Sequence, residues 1–306
     1  VLQLTHSGRY SKPFGYPNPR AAVENPFLDR VPDPAYIVSD EELKRLQDVF
    51  VTASHLALEA GFDAVDVKAC HGYLIHDLLS AYLRDNSLFG GSFENRIRFL
   101  REVNERISAD VPFLKTAPRI NAYDGLPFPH GFGVSTEGGI EPDLREPIEL
   151  LRILISSGCC LFNITVGNPY YNPHLGRPYD RAVGGRENAR EHPLVSLNRL
   201  LEISGRLQRE FAEVPFVGTG YSWFRQFFPY IGAGMVADGR SAIIGLGRSS
   251  FAYPDAPKDL MDTGSLNPKK VCITCSRCTE LLRAGHVGGC VIRDKKIYAV
   301  EYKSDD

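Results

Sequence analysis

The sequence predicts an α/β fold, a (β/α)₈ barrel apparently lacking its first two strands in this chain, and three features lead there. A helix, a glycine and a short apolar strand recur in that order down the chain. Such alternation demands a parallel sheet with helices outside it, as a closed barrel or a doubly wound open sheet. Long segments follow strands, notably 7–39 with its prolines and 121–145, where a barrel carries its active site, and this favours the barrel.

The opening run, Val1 to Thr5, reads as a strand. Ser39 and Glu42 form a capping box ahead of Leu43, Leu46, Phe50, Ala53, Ala57 and Ala60, and Gly61 stops that helix. Phe62 to Lys68 follows as a short Val-containing strand. Ser92 starts a helix with the apolar stripe Phe93, Ile97, Leu100, Val103 and Ile107, which leads into a strand over Phe113 to Ile120. The rhythm repeats as Ile148 to Ser157 then Cys160 to Val166, Val195 to Phe211 then Val214 to Gly218, and Phe224 to Ala237 then Ala242 to Gly245. The sum is six strands, two short of closure. The missing pair is expected before Val1, where the chain opens inside an apolar run without methionine. Past residue 264 the rhythm ends, which divides the chain into a barrel over 1–264 and a cysteine-rich extension over 265–306.

With 306 residues, 43% of them hydrophobic and 24% charged, the chain buries a large core. A net charge of -2 and the lack of any Lys/Arg-rich run speak against nucleic acid and membrane surfaces as partners. No stretch reaches the ~18 to 20 apolar residues of a membrane span, and the amino end lacks the features of a signal peptide. A small-molecule substrate and a cytoplasmic location are expected. Which outer helices a homo-oligomer would share is not marked.

Of seven cysteines, four crowd into the run Cys272-x2-Cys275-x2-Cys278-x11-Cys290, close enough to wrap one iron–sulfur cluster or one zinc. Cys70, Cys159 and Cys160 read as buried strand-end residues. Lys68 stands at a strand's end with His71 and Tyr73 just beyond it, where barrel enzymes do chemistry; the bland alternative is an ordinary loop and helix start. His71 and His76 do not form a metal pair, because an i, i+5 spacing turns through ~500° at ~3.6 residues per turn.

The stretch HGYLIHDLLSAYLRDNSLFGGSFENRIRFLREV resembles a signature of the old yellow enzyme and dienoyl-CoA reductase family, and LQLTHSGR, RINAYDG and GLGRSSFAYPD resemble its other motifs in the same order. The resemblance implies an FMN-dependent oxidoreductase. On it, Gln3 hydrogen-bonds the flavin's pyrimidine edge, Arg119 places positive charge near N1, and Gly218, Gly220, Gly247 and Arg248 take the phosphate. Lys68 and His71 match the pair that binds a substrate carbonyl, although the family usually has His in place of Lys68. Tyr73 matches the residue that protonates the substrate's α-carbon, a task for a phenol of free pKa near ~10.

The branch with dienoyl-CoA reductase and trimethylamine dehydrogenase carries a [4Fe–4S] cluster after the barrel, which implies Cys272, Cys275, Cys278 and Cys290 as its ligands, with structural zinc as the rival. The expected reaction is reduction of an activated C=C bond with NAD(P)H as ultimate donor, or the reverse dehydrogenation. No G-x-G-x-x-G follows a strand, so either reductant reaches FMN directly, or a separate electron-transfer partner supplies electrons through the cluster, or the chain is cut short at this end too. The second expectation is a non-flavin barrel, a lyase or binding protein, with a zinc-stapled tail.

Overall fold

A computed structural model describes residues 1–29, 33, 36–183, 189 and 191–303. Its strands are β1 (Leu2–Leu4), β2 (Ala64–Val67), β3 (Lys115–Thr116), β4 (Arg119–Asn121), β5 (Phe162–Thr165), β6 (Phe216–Gly218) and β7 (Ile243–Ile244). Between them run α1 (Asp40–Glu59), α2 (Leu74–Leu79), α3 (Phe93–Asp110), α4 (Arg145–Ser156), α5 (Pro173–Gly176), α6 (Pro193–Glu210) and α7 (Phe228–Ala237). After β7 come α8 (Arg248–Ala252), α9 (Ala256–Thr263), α10 (Arg277–Ala284) and α11 (Tyr298–Lys303). The pairs β1–β2, β2–β3, β4–β5 and β6–β7 are parallel, and helices separate most successive strands, so the fold is α/β.

The helix starts follow local chemistry. Ser39 accepts a hydrogen bond from the Glu42 N–H at 3.1 Å, and Asp40, Glu41 and Glu42 lie at the positive end of the α1 dipole. Gly61, at φ 85°, takes the left-handed conformation that ends it. Ser92 caps α3 in the same way through Asn95. Ile97, Leu100, Val103 and Ile107 of α3 are buried, and Phe99 meets Phe50 of α1 edge-on at 5.9 Å.

Three expectations needed correction. The single strand over Phe113 to Ile120 is two, which makes seven strands among the described residues instead of six. Phe113 has φ 75° and is 90% exposed, and Pro118, which has no N–H to donate, separates β3 on β2 from β4 on β5. The helix expected over Phe224 to Ala237 starts as a 3₁₀ segment at Tyr221–Phe227, and Arg225 (φ 55°, ψ -127°) breaks it from α7. Cys160 is exposed where Cys70 and Cys159 are buried.

The described residues form two compact units, Val1–Leu175 with Phe211–Phe216, and Gly176–Glu210 with Val217–Asp306. In the first, β2 is buried on both faces, as a parallel strand covered by helices must be, and Asp66 is its single charged residue. In the second, Leu197, Leu201, Tyr221, Phe228, Met235 and Tyr253 share a core with Leu266 and Val271, which lie beyond α9. Each fully buried side chain of that size contributes ~1.5 to 3 kcal/mol, so this core fastens the cysteine-bearing segment to its unit. Among the described residues no helix is long and apolar enough to cross a membrane.

Candidate functional site

In the first unit the site is organised by a carboxylate. The β1–β2 register sets Gln3 opposite Asp66, and the Gln3 amide donates to Asp66 Oδ2 at 2.6 Å. The Arg119 backbone N–H donates to Asp66 Oδ1 at 2.7 Å. Burial raises the Asp66 pKa, against the pull of these two hydrogen bonds and of the Arg119 and Lys68 charges. Arg119 Nε is buried and finds no partner among the described residues. A guanidinium left this way is ready for an acceptor from outside the chain.

Strand alternation puts Lys68 on the face that carries Asp66. The Lys68 N–H bonds to Leu4 O at 3.1 Å and the Ala69 N–H to Arg119 O at 2.9 Å, so the backbone here is held by β1 and β4. The Lys68 side chain is buried, and its Nζ lies 3.5 Å above the Tyr73 ring centre with no acceptor among the described residues. Burial lowers its pKa, Arg119 adds to the effect, and Cys70 and Asp66 oppose it.

His71 (φ 65°) and Gly72 (φ 70°) make a left-handed turn. A Cβ on Gly72 would stand 2.6 Å from Asn168 Nδ2, so glycine is required twice over. The Gly72 N–H donates to His76 Nδ1 at 2.8 Å, and His76 Nε2 lies 2.6 Å from Asp124 Oδ1, though not aligned for a hydrogen bond. Both ring nitrogens of His76 thus face protein partners. Asp124 also accepts from Asn121 Nδ2 at 2.6 Å and from the Phe132 N–H at 2.8 Å. The turn delivers Tyr73 to the start of α2, and Gly8 packs so close that a Cβ there would lie 2.7 Å from Leu74 N.

Gln3 on β1, Arg119 at the start of β4, Lys68 just past β2, and His71 and Tyr73 on the turn that follows therefore lie within one unit. Residues that sequence reasoning passed over join them. Tyr10 stacks on Tyr170 at 3.5 Å and 18°, its ring is 6.2 Å from that of Tyr73, and its buried hydroxyl has no partner among the described residues. Arg9 forms a buried pair with Asp77, Nη2 to Oδ2 at 2.7 Å, which ties the segment after β1 to α2. Asp66 left a signal in the sequence, a lone carboxylate in an apolar strand. Tyr10 and Tyr170 left none.

In the second unit the four residues expected at a phosphate differ in what they offer. The Gly218 N–H donates to Ser241 Oγ at 3.1 Å, and Gly220 (φ 97°) leaves no room for a Cβ beside Leu197 and Leu200. Gly247 precedes α8 with open space around it, and among the described residues neither its N–H nor that of Arg248 has an acceptor. The Arg248 side chain is buried; Nη2 donates to Pro178 O at 2.6 Å and Nη1 has no partner among the described residues.

The same unit gathers Cys272, Cys275, Cys278 and Cys290 around one small pocket, together with Arg248. Left-handed turns at Thr274 (φ 52°) and Ser276 (φ 63°) fold the chain around Cys275, and the Thr274 N–H points at Cys272 Sγ, 3.4 Å away. Burial pushes the Cys272 and Cys278 thiols up, and nearby Arg248, joined by Arg177 at Cys278, pulls them down. Among the described residues no three His, Cys, Asp or Glu side chains are placed to hold a single metal ion. Cys70 and Cys159 are separate, their thiols pushed up by burial to about 11 and about 12, values that leave them inert.

Residues 1–127 match the NADH:flavin oxidoreductase / NADH oxidase family. The putative 12-oxophytodienoate reductase 4 of Oryza sativa subsp. japonica is 28% identical over 275 residues, which cover 87% of this chain and 63% of the relative. The NADH oxidase of Thermoanaerobacter brockii is 25% identical over 303 residues, 97% of this chain and 40% of the relative. The solved structure of 6-hydroxypseudooxynicotine amine oxidase from Pseudomonas geniculata N1 superposes with a TM-score of 0.70 at 20% identity, over 97% of this chain and 41% of that one, a likeness of fold. The chain thus spans 63% and 40% of the two curated relatives.

Proposed function

We propose that this chain, which residues 1–127 make a member of the old yellow enzyme-like NADH:flavin oxidoreductase family, is the flavin-binding part of an FMN-dependent oxidoreductase. It moves hydride between flavin and a small substrate, in the sense of reducing an activated C=C bond with NAD(P)H as donor. The observation that carries this is the Asp66 carboxylate: it sets Gln3 and Arg119 beside one another and leaves a buried guanidinium nitrogen without a partner among the described residues.

Bound FMN supplies the hydride donor and acceptor, which no side chain can be. Gln3 offers an amide to the pyrimidine edge, and Arg119 offers positive charge where reduction builds negative charge. Lys68 and His71 bind and polarise the substrate's electron-withdrawing group. Tyr73 holds the proton destined for the α-carbon, and its turn is locked by Gly72 and His76. Gly247 and Arg248 offer backbone N–H donors to the phosphate, and Gly218 and Gly220 shape the turns beside them.

In this reading residues 1–264 form an N-terminally incomplete (β/α)₈ barrel and 265–306 carry a [4Fe–4S] cluster on Cys272, Cys275, Cys278 and Cys290. Four thiols on one pocket, an N–H aimed at one of them and buried arginines to balance thiolate charge suit that group. The cluster would pass electrons to or from a separate electron-transfer partner. The family match gives a non-flavin lyase or binding protein with a zinc tail no support.

An anaerobic visible spectrum with iron and acid-labile sulfide assays on the same sample tests the proposal. Flavin bands with about four iron per chain are expected. A colourless protein carrying zinc would refute it.

A further inference from the structure

We infer that Arg177, acting through Thr279, is a positioning residue for the cysteine site: it holds positive charge and a hydrogen bond against Cys278, and so raises the reduction potential of the cluster those cysteines would carry. This rests on the cluster reading above.

All the groups concerned belong to the second unit. Arg177 Nη1 reaches across 102 residues to donate to Thr279 Oγ1, the side chain next to Cys278 in the chain. With its oxygen taken by the guanidinium, the Thr279 hydroxyl has its proton left to give, and it gives it to the Cys278 sulfur. The order is Arg177, Thr279, Cys278, each donating to the next. Of the charged side chains around Cys278, Arg177 acts most strongly, ahead of Arg248.

The charge is not cancelled nearby. Arg177 Nε is buried without a partner among the described residues, and none of their carboxylates pairs with the guanidinium. The groups whose charge reaches it are Arg248 and Arg283, of its own sign, with Cys278 and Tyr179. Asp180, the carboxylate that acts on Arg248, is taken up by Arg225, Trp223 and Thr274. Burial, then Arg248, pull the Arg177 pKa down to about 10, which leaves it charged at physiological pH. Two dehydrated cations of like sign call for an anion to offset them.

Four thiolates on iron supply negative charge at this place, and a one-electron reduction adds one more. A fixed cation favours the more negative of the two states by Coulomb attraction, and a hydrogen bond to a ligand sulfur works in the same direction. Arg177 provides the first and, through Thr279, orients the second.

Potentiometric titration of the whole chain under argon, followed by electron paramagnetic resonance of the reduced cluster, tests the inference. Arg177→Met is expected to lower the midpoint by at least about 59 mV, a tenfold shift in the ratio of reduced to oxidised cluster for one electron. Arg177→Lys keeps the charge without the fixed fork, and Thr279→Val keeps the charge without the relaying hydroxyl; each is expected to fall between the wild type and Arg177→Met. Iron and acid-labile sulfide assays with circular dichroism check that cluster and fold are intact in every variant. Arg177→Gln stands in should Arg177→Met lose the cluster, and Thr279→Val carries the test if neither loads iron. An unmoved midpoint in the charge-free variants or in Thr279→Val overturns the inference. A wild-type chain that takes up no iron sinks the cluster reading and this inference with it, whereas a cluster whose midpoint ignores Arg177 sinks this inference alone.

Discussion

The Gln3 amide donates to the Asp66 carboxylate at 2.6 Å from the residue that faces it in the β1–β2 register, and the other carboxylate oxygen holds the Arg119 N–H at 2.7 Å. Asp66→Asn turns one acceptor into a donor facing a donor. Urea unfolding should register a loss of about 1 to 3 kcal/mol. With Gln3 released, FMN affinity measured by fluorescence titration should fall about tenfold. An Asn variant that binds FMN as tightly as the wild type would show that Asp66 does not position the amide.

Gly72→Ala puts a Cβ where φ is 70° and where Asn168 Nδ2 would be 2.6 Å away. Asn168 has little freedom to retreat, because it is buried and its Oδ1 accepts the Tyr170 N–H at 3.0 Å. A loss of about 1 to 3 kcal/mol is expected in a denaturant titration. A variant as stable as the wild type would mean that the turn relaxes without cost.

Lys68 should reduce stability at neutral pH. Burial holds its folded pKa below the unfolded 10.5, so between the two values the unfolded chain binds more protons and stability rises with pH. Lys68→Met, which does not titrate, is expected to melt roughly 2 to 4 °C higher at pH 7, with the gap closing as pH approaches 10.5. The groups facing Lys68, namely Asp66, Cys70, Arg119 and Tyr73, are common to both proteins, so their own titration largely cancels in the comparison. A methionine variant less stable than the wild type at pH 7 would contradict this.

Cys275→Ser removes one of the four thiols on the second unit's pocket. Iron is expected to drop from about four per chain to below about one, with flavin content unchanged. Cys160→Ser, at an exposed position outside that pocket, should leave iron untouched. Full iron in the Cys275 variant would move the cluster elsewhere.

The helices were legible because their signals are local. Ser39 reaches the Glu42 N–H three residues away, and the apolar stripe of α3 repeats with the helical turn. The strand over Phe113 to Ile120 was misjudged as one element, because where it divides depends on its partners, β2 for β3 and β5 for β4. The cysteine spacing announced a common site, but the left-handed turns at Thr274 and Ser276 fall on residues that rarely adopt that conformation and so left no signal in the sequence.

By itself the sequence determined the βα alternation, the helix caps, the cysteine cluster and the motif residues, since each depends on neighbours a few positions apart. Only the tertiary structure decided that Asp66 joins Gln3 across 63 residues and Arg119 across 53, that Tyr10 stacks on Tyr170, and that Lys68 rests on Tyr73 without a carboxylate among the described residues. Hydrogen bonds and desolvation depend on which groups meet in space, and strand register settles that.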